Sequence, residues 1–152
     1  MSVHAATVEQ LKAPAGKQFG VAWLLLCAAL AIHVADEALT DFLSIYNPTV
    51  LSIRSRLPFV PLPTFSFRDW LTGLMVAIAA LLCLTPLAFS RARLMAPLAY
   101  IFGIIMLGNG LLHIAGSIYF KRLMPGVYSA PLLLAGSIYL LRNVSTYRGE
   151  HT

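Results

Sequence analysis

The chain has 152 residues, of which 59% are hydrophobic and only 11% are charged. Because a water-soluble domain carries about 25% charged residues, this composition excludes a soluble globular domain and predicts an integral membrane protein. The net charge is +5, but the basic residues stand in small groups between apolar segments. That pattern is typical of membrane-flanking charges and argues against a nucleic-acid-binding surface. The expected partner is the lipid bilayer.

Four apolar segments have lengths that suit a bilayer and predict an all-α, four-helix membrane bundle. A polar N-terminal segment, 1–19, precedes them, and a tail, 143–152, follows them. No cleavage-site pattern follows the first apolar segment, so we expect it to remain as an anchor. Ser66 and Asp69 have the spacing of a capping box, which marks the start of the second span. The predicted transmembrane domain covers 20–142, with spans at about 20–40, 69–90, 94–120 and 127–142.

One long connection, 41–68, joins the first two spans. It contains Asn47-Pro48 and a run of spaced prolines at 58–63, and it is rich in aromatic and aliphatic residues. We therefore expect an interfacial loop, either a lid or a passive connection. Lys and Arg are slightly more frequent on the face that holds both termini, which favours cytoplasmic termini in a bacterial inner membrane.

The first span contains His33, Asp36 and Glu37. A carboxylate at the centre of a bilayer helix costs about 2.5–3.5 kcal/mol, so two adjacent acids require a partner, a proton, a metal or water. Spacings of three and four residues allow all three side chains to share one helical face. The run is therefore either a functional site or the polar contact that holds a bundle together.

The third span contains a second polar pair, Asn109 and His113, four residues apart on one face. The first and third spans run in the same direction, and each histidine lies about 10–12 Å from the same membrane face at about 1.5 Å per residue. We therefore predict that His33 and His113 are near neighbours, with Glu37 within reach. Three residues closer to that face are expected to line an entrance and bind substrate: Asp41, Tyr119 and Tyr128.

Two kinds of chemistry suit these residues. Two imidazoles and a carboxylate from His33, Glu37 and His113 match the preferences of zinc or iron, although the sequence has no HExxH motif. Without a metal, the same groups form an acid/base set in which Asp36 is a second acid and Asn109 orients an imidazole or polarises a carbonyl. The metal-free chemistry is slightly preferred. A divalent metal and no cofactor at all both remain open.

The run His33-x-x-Asp36-Glu37, followed by the segments 109–113 and 125–130, resembles the HXXEE family of small bacterial membrane proteins. The resemblance implies a four-helix membrane protein with a shared site, and it names no substrate. One departure is that Asp36 stands where the motif has Glu, which favours Glu37 as the functional acid. The family motif falls on the following residues: His33, Asp36, Glu37, Asn109, His113, Pro125 and Gly126.

Three functions are compatible with this sequence. The first is an intramembrane enzyme that acts on a lipid-like or apolar substrate through His33, Glu37 and His113. The second is a proton-coupled small-molecule transporter with Glu37 as its carrier acid, for which so short a chain would have to form a homo-oligomer. The third is a structural or accessory membrane subunit in which the polar residues only fix the packing of helices.

Overall fold

The computed structural model describes the backbone of residues 3–90 and 92–149 and the side chains of residues 16–90 and 92–144. Within these ranges the chain is helical and contains no strand, which confirms the all-α class. In chain order the helices are α1 (Val3–Leu39), α2 (Leu43–Arg56), α3 (Phe67–Cys83), α4 (Thr85–Phe89), α5 (Met95–Tyr119) and α6 (Ala130–Gly149).

Three apolar helical stretches are long enough to cross a membrane. They are Gly16–Leu39, Phe67–Phe89 and Met95–Tyr119, and each lies close to one of the first three predicted spans. The fourth predicted span falls on α6, whose apolar part, Ala130–Val144, is shorter. Helix α1 also continues through the polar N-terminal segment, whose Ala, Lys, Gln and Glu residues favour helix.

The connection 41–68 differs from the predicted loop because it contains α2. Pro48 lies in the second turn of this helix, where the missing N–H costs only one backbone hydrogen bond. The remaining residues, 57–66, have no regular secondary structure, and we name them the proline strap. The loop prediction therefore holds only for the short segments on either side of α2.

Side chains of α2 hold the proline strap in place. The Asn47 amide donates to the Phe65 carbonyl at 2.9 Å and accepts from the Phe65 N–H at 3.1 Å, as a neighbouring strand would. The Tyr46 hydroxyl donates to the Pro63 carbonyl at 3.1 Å. At the end of the strap, Ser66 accepts from the Asp69 N–H at 3.2 Å and so caps α3, which confirms the predicted helix start.

Helix α1 lies at the centre of the fold and packs against α3, α4 and α6, while α5 packs mainly against α6. In the most apolar window of Gly16–Leu39, 56% of the residues are buried, against 11% for Phe67–Phe89. Trp23 of α1 is fully buried, and its indole N–H donates to the Leu81 carbonyl at 3.0 Å. The second apolar stretch is therefore peripheral.

Helices α5 and α6 approach each other closely at Gly110. A Cβ atom added there would lie 2.9 Å from Cγ of Leu134 and 3.2 Å from the backbone oxygen of Ala130. The Leu134 side chain can move, but the Ala130 carbonyl can move only with α6. The absence of a side chain at Gly110 therefore sets the distance between the two helices.

We predict that Gly110→Ala lowers stability by about 1–3 kcal/mol, the usual cost of overpacking. Gly108→Ala is the matched control, because a Cβ atom at Gly108 meets nothing within 4 Å and alanine is the better helix former by up to about 1 kcal/mol. Thermal unfolding in detergent should give a lower midpoint for Gly110→Ala than for Gly108→Ala. Equal midpoints would show that the α5–α6 contact is not tight at this position.

Candidate functional site

Helices α1 and α5 bring two histidines and a glutamate together, and we name His33, Glu37 and His113 the polar cluster. The ring centroids of the two histidines lie 4.7 Å apart in an edge-to-face arrangement. Oε1 of Glu37 lies 3.1 Å from Nε2 of His113 and 3.6 Å from Nε2 of His33. Their exposed fractions are 0% for His33, 6% for Glu37 and 8% for His113. The two histidines are thus neighbours, as their matched depths predict.

The polar cluster lies near one end of the apolar helices. His33 precedes Leu39 by six residues, and His113 precedes Tyr119 by six residues. At about 1.5 Å per residue, both histidines lie about 9 Å from the ends of their apolar stretches. The start of α2 and the turn before α6 lie at this same end, because Phe42 and Pro125 both contact His113.

A hydrogen-bonded chain fixes the His33 ring. The Ser129 hydroxyl donates to Oδ2 of Asp36 at 2.7 Å, and the Ser129 N–H donates to the same oxygen at 2.9 Å. Because a hydroxyl has a single proton, Ser129 Oγ must accept from Nδ1 of His33, which lies 2.8 Å away. In the neutral imidazole the proton is therefore on Nδ1, and the lone pair of Nε2 faces Glu37.

A backbone carbonyl fixes the His113 ring with its proton on Nδ1, as Ser129 does for His33. Nδ1 of His113 donates to the carbonyl oxygen of Pro125. A carbonyl oxygen only accepts, so in the neutral imidazole Nδ1 carries the proton and Nε2 presents its lone pair to Glu37. Both Nε2 atoms thus point at one carboxylate.

One atom of the polar cluster has no hydrogen-bond partner among the described residues. Nε2 of His33 is fully buried, and at 3.6 Å its distance from Glu37 Oε1 is too long for a hydrogen bond. An unpaired buried polar atom costs about 1–3 kcal/mol. The interior of the protein therefore contains a free acceptor that is aimed into the site.

The turn that supports His113 requires glycine at position 126. Gly126 has a φ of +81°, and an added Cβ atom would lie 2.8 Å from two atoms of the His113 ring and 3.0 Å from Cγ of Glu37. Ser117 braces the same turn, since its hydroxyl donates to the His113 carbonyl at 2.8 Å and accepts from the Met124 N–H at 3.0 Å. The backbone of this turn therefore forms one wall of the site.

The other predicted site residues do not reach the polar cluster. Asp36 lies behind His33 and bonds to Ser129. Asn109 lies one turn deeper along α5, about 6 Å from the level of His113, and no hydrogen bond joins its side chain to another described residue. Three residues at or beyond the helix ends are exposed and make no contact with the cluster among the described residues: Asp41, Tyr119 and Tyr128.

Sequence reasoning missed the role of Ser129. The sequence marks Ser129 only by its position immediately before α6, where a serine ordinarily serves as a helix cap.

Sequence reasoning also missed Phe42, whose ring centroid lies 5.9 Å from that of His113 and 5.9 Å from that of Trp70. Phe42 connects the site to a groove of about 360 Å³ between α2 and α3. The groove is lined by Phe42, Tyr46, Phe65, Asp69, Trp70, Gly73 and Leu74.

These features define an all-helical protein that has three helices long and apolar enough to cross a membrane and a buried pair of histidines around a glutamate. The chain belongs to the HXXEE family, described as "Protein of unknown function with HXXEE motif", whose model matches residues 23–140. The match confirms the family that the motif suggests, and it includes every residue of the polar cluster. Comparisons with curated proteins and with solved structures found no match.

We predict that Gly126→Ala disturbs the site and lowers stability. A left-handed backbone costs a residue with a side chain about 1–3 kcal/mol, and the new methyl group would press on the imidazole of His113 and the side chain of Glu37. Gly116→Ala is the control, because its added Cβ atom meets only Met124, at an ordinary 3.8 Å. Thermal unfolding should separate the two variants, and a wild-type midpoint for Gly126→Ala would contradict the close approach.

Proposed function

We propose that this protein is a four-span bacterial inner-membrane enzyme that acts on a lipid-like or otherwise apolar substrate. The observation that carries the proposal is a carboxylate buried between two imidazoles, one of which presents an unpaired nitrogen. A polar contact that served only to hold helices together would have every buried atom paired. Intramembrane ionisable residues are by default functional candidates.

The fourth span of this proposal is α6. Its apolar part, Ala130–Val144, is shorter than the roughly 20 residues that a bilayer requires. It nevertheless packs against both α1 and α5, and α5 is followed by a turn and not by a long connection. An antiparallel return of α6 through the membrane therefore completes a four-helix bundle with both termini on one face.

Proton transfer is the chemistry that the polar cluster supports directly. Oε1 of Glu37 and Nε2 of His113 are 3.1 Å apart, which is within reach for sharing one proton. His33 offers a second basic nitrogen at 3.6 Å from the same oxygen. Asp36 and Ser129 are positioning residues, because they hold the proton of His33 on Nδ1 and leave Nε2 free to act.

The depth of the site and the adjacent groove support an apolar substrate with a polar end. The polar cluster lies about 9 Å from the helix ends, close to where the headgroups of the surrounding lipid would lie. Phe42 lies against His113 of the cluster and also lines the groove, whose other side chains are mainly aromatic and aliphatic. A lipid chain in the groove would lie against Phe42, next to His113 of the polar cluster.

We predict that Glu37→Gln and His113→Ala abolish the activity. General acid–base catalysis contributes about 10²–10⁴-fold to a rate, so either variant should fail to restore the lipid profile of a deletion strain that the wild type restores. Asn143→Ala is the control, since Asn143 lies on α6 far from the cluster and, among the described residues, its amide donates to the Tyr139 carbonyl within the helix. Comparative lipid analysis is the measurement. If folded Glu37→Gln and His113→Ala proteins complement as the wild type does, the enzyme proposal fails.

We also predict that both termini are cytoplasmic and that the proline strap lies on the outer face. Reporter fusions at the C-terminus and within 57–66 should give opposite orientations, because the chain crosses the bilayer three times between these positions in the proposed bundle. An identical orientation at both positions would contradict a membrane-crossing α6, and reversed orientations would place the candidate site at the cytoplasmic face.

A further inference from the structure

The geometry of the polar cluster matches that of a metal site. Two ligand atoms bound at about 2.0–2.1 Å in a tetrahedral arrangement lie roughly 3.4 Å apart. The two measured separations, 3.1 Å from Glu37 to His113 and 3.6 Å from Glu37 to His33, fall on either side of this value. One ligand atom from each of the three residues lies within 4.8 Å of the other two. Both Glu37 separations would therefore change by only a few tenths of an ångström on binding an ion, and the two imidazoles, within 4.8 Å of each other, would close by up to about 1.4 Å.

The orientation of each ring is the one that a metal requires. A histidine that binds a metal through Nε2 usually donates its Nδ1 proton to a carboxylate or a backbone carbonyl, which fixes both the tautomer and the ring. His113 donates to the Pro125 carbonyl, and His33 donates to Ser129, which in turn bonds to the carboxylate of Asp36. Two rings on different helices are thus fixed independently with their lone pairs converging.

The unpaired nitrogen of His33 gives a third and independent reason. Proton sharing between Glu37 and His113 leaves Nε2 of His33 buried without a partner, whereas a metal ion bound to all three residues would satisfy it. A divalent cation would also offset the charge of the buried Glu37 carboxylate, which the Asp36–Ser129 chain does not touch. One ion accounts for both features.

We propose that His33, Glu37 and His113 bind a divalent transition-metal ion, with zinc as the expected metal. Two imidazole nitrogens and one carboxylate are a zinc donor set, and three protein ligands leave the fourth position open, as in catalytic zinc sites. The role of the ion rests on the proposed function: with all three side chains bound to the ion, the direct proton transfer between Glu37 and His113 would be replaced by chemistry of water or of the polar end of a substrate at the open fourth position. Binding itself is independent of any substrate.

The experiment measures metal bound to the full chain, purified without a tag in detergent. We expect zinc at about one ion per chain by mass spectrometry, and cobalt added to the zinc-free protein should give the intense visible absorption of a four-coordinate site. His33→Ala, Glu37→Gln and His113→Ala should each lose this signal. Asp41→Asn is the matched control, because it removes an exposed carboxylate at a φ of +57° that asparagine tolerates.

Ser129→Ala keeps all three ligands and tests the fixed ring of His33. Loss of such a supporting hydrogen bond typically weakens metal affinity 10–100-fold, a change that a purely structural serine would not produce. The proposal is overturned if the wild-type protein binds neither zinc nor cobalt stoichiometrically, or if folded ligand variants retain the bound ion. These outcomes differ from those that test the enzyme proposal. If the wild-type protein binds no metal but Glu37→Gln is inactive, only the metal proposal fails. If the wild-type protein binds metal but Glu37→Gln leaves the lipid profile unchanged, only the enzyme proposal fails.

Discussion

The placement of Glu37 is the constraint on which the rest of this structure depends. A carboxylate inside apolar helices is tolerated only when other groups compensate for the lost water, and removing one partner of a buried pair typically costs 3–5 kcal/mol. His113 approaches the carboxylate within 3.1 Å from α5. That approach is possible because Gly126 has no side chain and adopts a conformation that favours glycine. The α5–α6 turn is therefore shaped around a single acid of α1.

Asp36 shows how two adjacent acids can have different roles. Glu37 points into the polar cluster, whereas Asp36 accepts the hydroxyl and the backbone N–H of one residue, Ser129. This contact ties the start of α6 to α1 and at the same time orients His33. The shorter side chain of Asp36, which departs from the family motif, is thus used for a contact with backbone and not for the cluster itself.

The sequence predicts the central part of this arrangement because that part depends on quantities that sequence spacing determines. A separation of four residues places His33 and Glu37 on one face, and equal distances from helix ends place His113 at their level. Asn109 shares the face of His113 but lies one turn deeper along α5, so a shared face alone groups it with residues that it does not contact. The link from Asp36 to Ser129 spans 93 residues and depends on the path of a turn. Helix α2 lies where the sequence predicts a loop, because Pro48 and the spaced prolines after it are typical of loops although Pro48 is tolerated inside α2.

That long separation also has a consequence for biosynthesis. The ribosome completes α1 first, and at about 5–20 residues per second the 93 residues between Asp36 and Ser129 take roughly 5–19 s to add. For most of this interval neither His113 nor Ser129 exists, so Glu37, Asp36 and His33 lack the partners that they have in the folded chain. The residence of α1 in an apolar environment must then depend on protonation, on water or on the insertion machinery. The nascent chain is therefore least stable in the interval before α6 emerges.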